Sequence, residues 1–123
     1  MRKYFDDESW AKKTNYWKQL TPQSLAQGLD RRAGLFADVN AALGEDPAGE
    51  RAQAIREQWI ALRESESAGS PGVLAGAARA WADRRNWPLT LRRKEAVSYG
   101  VNLENFGKAA DFIDAATEAR LDF

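Results

Sequence analysis

The residue types that carry most enzyme chemistry are missing from this 123-residue chain, which has no cysteine and no histidine. Without them there is no thiolate nucleophile, no imidazole base, no Ser-His-Asp triad and none of the usual zinc or haem ligations. Carboxylates are plentiful, among them the pairs Asp6 with Asp7, Glu64 with Glu66 and Asp111 with Asp114. General acid–base catalysis needs two acids in a shared, partly desolvated cleft, and none of these pairs has an apolar setting. Asp111 and Asp114 flank the apolar dipeptide Phe112-Ile113, which predicts a solvated helix edge. A di-iron bundle built on Glu-x-x-His is impossible without histidine. Ala68-Gly69-Ser70-Pro71-Gly72 has neither the lysine nor the spacing of a phosphate-binding loop. The expectation is a protein that is not an enzyme and needs no metal or other cofactor.

Tryptophan is what the chain has in excess: five residues, within an aromatic content of 11%. Trp59 and Trp81 lie on apolar helical stripes and are expected in the core. Trp10, Trp17 and Trp87 sit in a polar first helix and a proline turn, where Lys12, Lys13, Asn15, Lys18 and Arg85 supply little apolar cover. A wall of rings with a few polar groups suits a flat or polycyclic ligand, because rings give contact area at small entropic cost and indole N–H groups give orientation. The same side chains would serve equally to fasten the first helix to the rest of the protein. Tyr16 and Trp17 are adjacent and point about 100° apart around a helix. Both cannot face one core.

Helices must position these residues, and the chain's punctuation predicts them. Thr21-Pro22, Asp46-Pro47 and Ser70-Pro71 each put a capping side chain before a proline suited to the first helical position. A first helix, opened by Asp6 or Asp7 and running to about Leu20, carries Trp10, Thr14 and Trp17 on one face. The second runs from Pro22 to Leu43 with a stripe of Leu25, Leu29, Ala33, Phe36, Asn40 and Leu43, widened by Leu35 and Val39 and stopped by Gly44. The third, from Pro47 to Ala68, repeats the pattern with Ala52, Ile55, Trp59 and Leu62 and leaves Arg51, Arg56, Glu57, Arg63 and Glu64 mainly outside that stripe. A fourth helix after the Ala68–Gly72 turn carries Val73 or Leu74, Ala77, Ala78 and Trp81. Trp87-Pro88 interrupts the chain before a short fifth from about Leu91 to Tyr99. Gly100 ends that helix, and Asn102 caps a sixth bearing Leu103, Phe106, Ala110, Ile113 and Thr117. With no alternating strand pattern, the expected fold is all-α, six helices in a single domain over residues 1–123.

Eighteen basic residues balance eighteen acidic ones, which argues against nucleic-acid binding by this chain, since phosphate recognition concentrates Lys and Arg on one face. The clusters Arg84-Arg85 and Arg92-Arg93-Lys94 have Asp83 and Glu95 beside them and read as solvated faces. No apolar signal segment or membrane-spanning stretch is present, and a cytoplasmic location is expected.

Tyr4-Phe5 with an acidic first turn and Trp10, a long second helix, then Trp59-x-x-Leu62 followed by Gly69-Ser70-Pro71-Gly72-Val73, and finally Phe112-Ile113-Asp114, form a familiar order. It resembles the TipAS-like effector-binding domain of MerR-type transcriptional regulators, from Tyr4 to about Arg120. The resemblance implies a globin-like fold enclosing a cleft for large, partly apolar molecules such as thiopeptide antibiotics, with N-terminal helices that close over the ligand. Residues 6–43 would then be mobile lid helices and residues 47–120 the core helices. Covalent capture of dehydroalanine-bearing thiopeptides, known in that family, requires a cysteine, so binding here is expected to be reversible.

The leading expectation is therefore the effector-sensing domain of a bacterial regulator, binding a bulky aromatic or macrocyclic ligand in a cleft walled by Trp10, Tyr16, Trp17, Trp81 and Trp87, extended by Tyr99 and Phe106. DNA would be contacted only through a separate N-terminal helix-turn-helix domain. The isolated domain is expected to be a monomer and the full-length regulator a dimer. The alternatives are a stand-alone drug-sequestering resistance protein with the same cleft, and a protein-interaction module whose aromatics dock a partner.

Overall fold

Asp6 opens the first helix by accepting the Ser9 backbone N–H at 2.7 Å, and Asp7 and Glu8 fill the first turn, so α1 spans Asp7–Gln19. The computed structural model describes residues 1–121. Thr21 caps α2 (Pro22–Ala41) through the Ser24 N–H at 3.0 Å, and Ser70 caps α4 (Pro71–Ala82) through the Val73 N–H at 3.3 Å. Asp46 behaves differently. Its carboxylate takes the Ala48 N–H at 2.9 Å and closes a local turn, so α3 (Glu50–Ser65) begins three residues past Pro47, behind Gly49. Helix α5 (Leu89–Ser98) follows Pro88 directly, and α6 (Leu103–Leu121) starts where Asn102 accepts the Asn105 N–H at 2.8 Å. Single 3-10 turns at Arg2–Tyr4 and Arg84–Asn86 complete an all-α chain with no strand among the described residues. None of the described helices is long and apolar enough to cross a membrane.

The core lies where α2, α3 and α6 meet. Phe36, Val39, Ile55 and Ile113 are buried there, and the fully buried alanines 52, 109, 110 and 116 let the helices approach closely. Phe36 stacks on Tyr99 with ring centroids 4.2 Å apart, and Trp59 packs on Trp81 at 4.6 Å, as expected for two core tryptophans. Arg84 departs from the expected solvated face. It is buried against Trp81, 5.0 Å from the ring, because α6 brings Asp111 and Asp114 to its guanidinium at 2.9 and 2.7 Å. Asp114 also accepts the Trp81 indole N–H at 3.1 Å.

Helix α1 is attached in another way. It packs on α4 with Ser9 as its one buried residue. The contact is close because α4 has glycines there: a Cβ on Gly72 would lie 2.2 Å from Ser9 Oγ, and one on Gly76 would lie 2.3 Å from the Phe5 ring. Arg79 donates to the Tyr4 carbonyl at 2.7 and 3.1 Å, and the Tyr4 hydroxyl bonds to Asp83. Burial also divides α2, whose Leu25 and Leu29 are exposed whereas Arg32, Leu35, Phe36 and Val39 are buried.

Candidate functional site

The inner face of α1 carries Trp10, Lys13 and Trp17 at positions i, i+3 and i+7. Lys13 and Trp17 line a cavity of about 50 Å³ together with Arg32 of α2, Arg63 and Glu66 at the end of α3, and Ala77 of α4. A second cavity, of about 60 Å³, shares Lys13, Arg32, Arg63 and Ala77 and extends to Phe5, Trp81, Trp87 and Glu95. The shared lining makes them two ends of one cleft roofed by α1. Each has room for a few waters, whereas a drug-sized molecule needs roughly 300 Å³ or more. With α1 in place the cleft is too small for such a molecule. A wider groove of about 480 Å³ runs between α2 and α3 past Arg31, Leu35, Asp38 and Leu62, but no aromatic residue lines it.

Three cations and two carboxylates set the electrostatics of the cleft. Arg32 is the organised one: Nε and Nη2 donate to Glu66 at 2.7 and 2.9 Å, Nη1 donates to the Ser98 hydroxyl at 2.8 Å, and Glu95 lies 3.9 Å away. Its guanidinium also covers the Tyr99 ring at 4.7 Å. Burial disfavours its charge, but the Glu66 hydrogen bonds and the nearby carboxylates outweigh that and hold the pKa above its ordinary value. Lys13 has ring faces instead of carboxylates, with Phe5, Trp10 and Trp17 centroids 5.7, 5.6 and 5.9 Å from Nζ. Burial pushes its pKa below the usual lysine value, with Glu95 and Glu66 opposing. Arg63 lies 4.4 Å from the Trp59 ring and 5.1 Å from that of Trp81. No group of His, Cys, Asp and Glu able to hold a metal occurs among the described residues.

The aromatic residues expected to form the site separate into three groups. Trp17, Trp81 and Trp87 line the cleft. Trp87 was expected to lack apolar cover, yet it is 4% exposed, because the turn at Pro88 folds it inward toward Phe106, 6.5 Å away. Its indole N–H is left without a completed hydrogen bond, although the Tyr4 hydroxyl is its neighbour. Trp10 and Tyr16 are peripheral. Trp10 packs on Phe5 at 5.7 Å, and Tyr16 turns from Trp17 to donate to the Ser65 carbonyl at 3.2 Å. Tyr99 and Phe106 are buried behind the cleft, where their rings lie 5.9 Å apart. Phe106 borders a different surface pocket, of about 190 Å³, beside Arg84, Arg92 and Leu103.

The polar half of the site, Lys13, Arg32, Arg63, Glu66 and Glu95, is absent from that aromatic set. Spacing contained a signal for part of it. Arg32 precedes Leu35 and Phe36 by three and four residues, and Arg63 follows Trp59 by four, so each shares a face with core side chains. Arg63 thus departs from the expectation that it lies outside the apolar stripe of α3, because its guanidinium stacks on the indole one turn back.

Comparison with curated proteins returns no match, and comparison with solved structures returns none either. The family model of the TipAS antibiotic-recognition domain matches residues 1–117. That span takes in the roof, the walls and both ends of the cleft, and the chain belongs to the TipAS family.

Proposed function

We propose that this chain is the effector-sensing domain of a bacterial MerR-type transcription regulator and reversibly binds a bulky aromatic or macrocyclic, antibiotic-like ligand beneath α1. The observation that carries the reading is the roof. An aromatic and charged cleft too small for such a ligand is covered by a helix with a single buried residue. Few buried contacts mean a low local free energy of opening. Helix α1 and the exposed first half of α2 are the parts suited to move, while Arg32, Leu35, Phe36 and Val39 anchor the second half of α2 in the core. Ligand would stabilise the closed arrangement by mass action, and the signal passed to a separate DNA-binding domain would depend on the difference in affinity between open and closed states. With no cysteine in the chain, capture is non-covalent. The inward orientation of Trp59, Trp81, Trp87, Tyr99 and Phe106 counts against the rival reading of a protein-docking module.

The test is titration of the five tryptophans' fluorescence with thiopeptides, other bulky antibiotics and polycyclic dyes, alongside thermal unfolding. The expected result is saturable quenching with a matching rise in melting temperature. A folded domain that responds to no member of the panel would overturn the reading.

A further inference from the structure

We propose that the cleft selects an anionic aromatic ligand, whose carboxylate or sulfonate sits between Lys13 and Arg63 while its rings lie against Trp17 and Trp81. The inference rests on the cleft reading above and names its ligand class. The argument begins with how this chain treats its other inward-turned cations. Arg32 has Glu66, Arg56 has Glu57 at 2.7 Å, Arg84 has Asp111 and Asp114, and Arg92 donates to the Trp87 carbonyl at 3.1 Å. Each has an oxygen partner. Lys13 and Arg63 are half-buried against ring faces and make no ion pair or side-chain hydrogen bond to any described residue, while Glu95 and Glu66 act on Lys13 from beyond ion-pair distance.

Stacking uses the flat face of a guanidinium and leaves its in-plane N–H groups as donors, and an ammonium on a ring keeps donors directed away from it. Half-desolvated donors of this kind recover interaction energy when an oxyanion reaches them. Both side chains line both cavities, so the open space of the cleft lies directly beside them. The charge count agrees: Lys13, Arg32 and Arg63 face Glu66 and Glu95, of which Arg32 hydrogen-bonds Glu66 and lies 3.9 Å from Glu95. One anion balances the cleft. A neutral ligand would leave the same donors unfilled.

Two dyes with one ring system separate the possibilities, 1-anilinonaphthalene-8-sulfonate and its uncharged analogue N-phenyl-1-naphthylamine. Binding is followed by dye emission, with circular dichroism to establish that each variant is folded. The sulfonate should bind the natural chain about tenfold or more tightly than the neutral dye. Lys13→Gln and Arg63→Gln should each remove most of that preference, read as the ratio of the two dyes' affinities in the same variant, and Lys94→Gln, an exposed charge on α5, should leave the ratio as it is. Should Arg63→Gln fail to fold through loss of its indole stacking, Lys13→Gln decides alone, since it removes a charge that burial disfavours. Equal affinity for the two dyes, or a sulfonate preference that survives both substitutions, overturns the proposal and leaves the cleft standing. Binding of neither dye to the folded domain overturns the cleft reading, and this inference falls with it.

Discussion

Arg32 of α2 and Glu66, at the end of α3, form a bidentate pair at 2.7 and 2.9 Å with side chains only 11% and 12% exposed. The pair ties α2 to α3 at the floor of the cleft, and the Ser98 hydroxyl extends it to α5. Buried pairs return little net stability because both charges lose water, but removing one partner strands the other. Arg32→Met should therefore cost about 3–5 kcal/mol in urea unfolding. Adding Glu66→Met should recover a large part of that loss. A double variant as unstable as the sum of the single ones would mean that the two residues act independently.

Ala68, in the turn after α3, has φ of 55°, and Gly69 beside it has φ of 69°. Left-handed backbone penalises a Cβ and suits glycine. Ala68→Gly should raise stability by about 0.5–1 kcal/mol, the relief of strain exceeding glycine's extra chain entropy. Gly69→Ala should lower it by about 1 kcal/mol. A Cβ on Gly69 meets nothing within 4 Å, so that cost is purely one of backbone. Chemical denaturation of the two variants gives opposite signs if the turn is as described.

Local chemistry was legible in the sequence, and partners distant along the chain were not. Asp6, Thr21 and Ser70 cap helices as their positions implied, because a cap is decided within three residues. Asp46 misled because the same carboxylate can close a turn two residues on, and here it does. Beside their sequence neighbours Arg84 reads as solvated and Trp87 as short of apolar cover, yet α6 supplies Asp111 and Asp114 to the one and Phe106 to the other from far along the chain. The aromatic side of the cleft was partly readable from tryptophan count and helical spacing. Its cationic side was legible only in part, through Arg32 and Arg63 sharing faces with core side chains, since a basic residue on a helix is by default a solvated one.

Burial pushes the Tyr99 phenol from the ordinary 10.0 up to about 12, although Arg63 and Arg32 pull the other way. A raised folded-state pKa means that the folded chain keeps a proton the unfolded chain releases. Its contribution is complete below pH 10 and is lost as pH rises from 10 toward about 12. The loss amounts to about 2–3 kcal/mol by the usual conversion. Lys13 has the opposite sign, because its lowered pKa adds stability as pH climbs toward the ordinary lysine value. Comparing Tyr99→Phe with the natural chain cancels that term. The unfolding free energy of the variant should gain on the natural chain between pH 10 and 12, and parallel curves would show that Tyr99 titrates normally.

Trp17 is half-buried on α1, 5.7 Å from the Arg32 guanidinium and 6.0 Å from Tyr16 in an edge-to-face arrangement. Its ring lines the cleft while contributing little to the core. Trp17→Ala should weaken binding of a saturating ligand about tenfold or more, since a buried aromatic contact of this kind is worth roughly 1–3 kcal/mol. The melting temperature of the ligand-free chain should change by a few degrees at most. A large loss of stability instead would place Trp17 among the residues that hold the fold together.

The seat of α1 can be disturbed from the opposite side. A Cβ on Gly76 would sit 2.3 Å from the Phe5 ring, so Gly76→Ala requires the N-terminal segment to move, while α4 itself gains helix propensity. Phe5 also touches Trp10 at 5.7 Å and lies under the Lys13 ammonium at the same distance, which carries the displacement into α1. Hydrogen exchange should therefore accelerate several-fold at the amides of residues 7–19, and those of α3 and α6 should keep their protection. A ligand that relies on α1 for cover should dissociate faster from this variant, with its association rate little changed. A uniform change in exchange across the whole chain would mean that α1 is part of the cooperative core and opens only when everything unfolds.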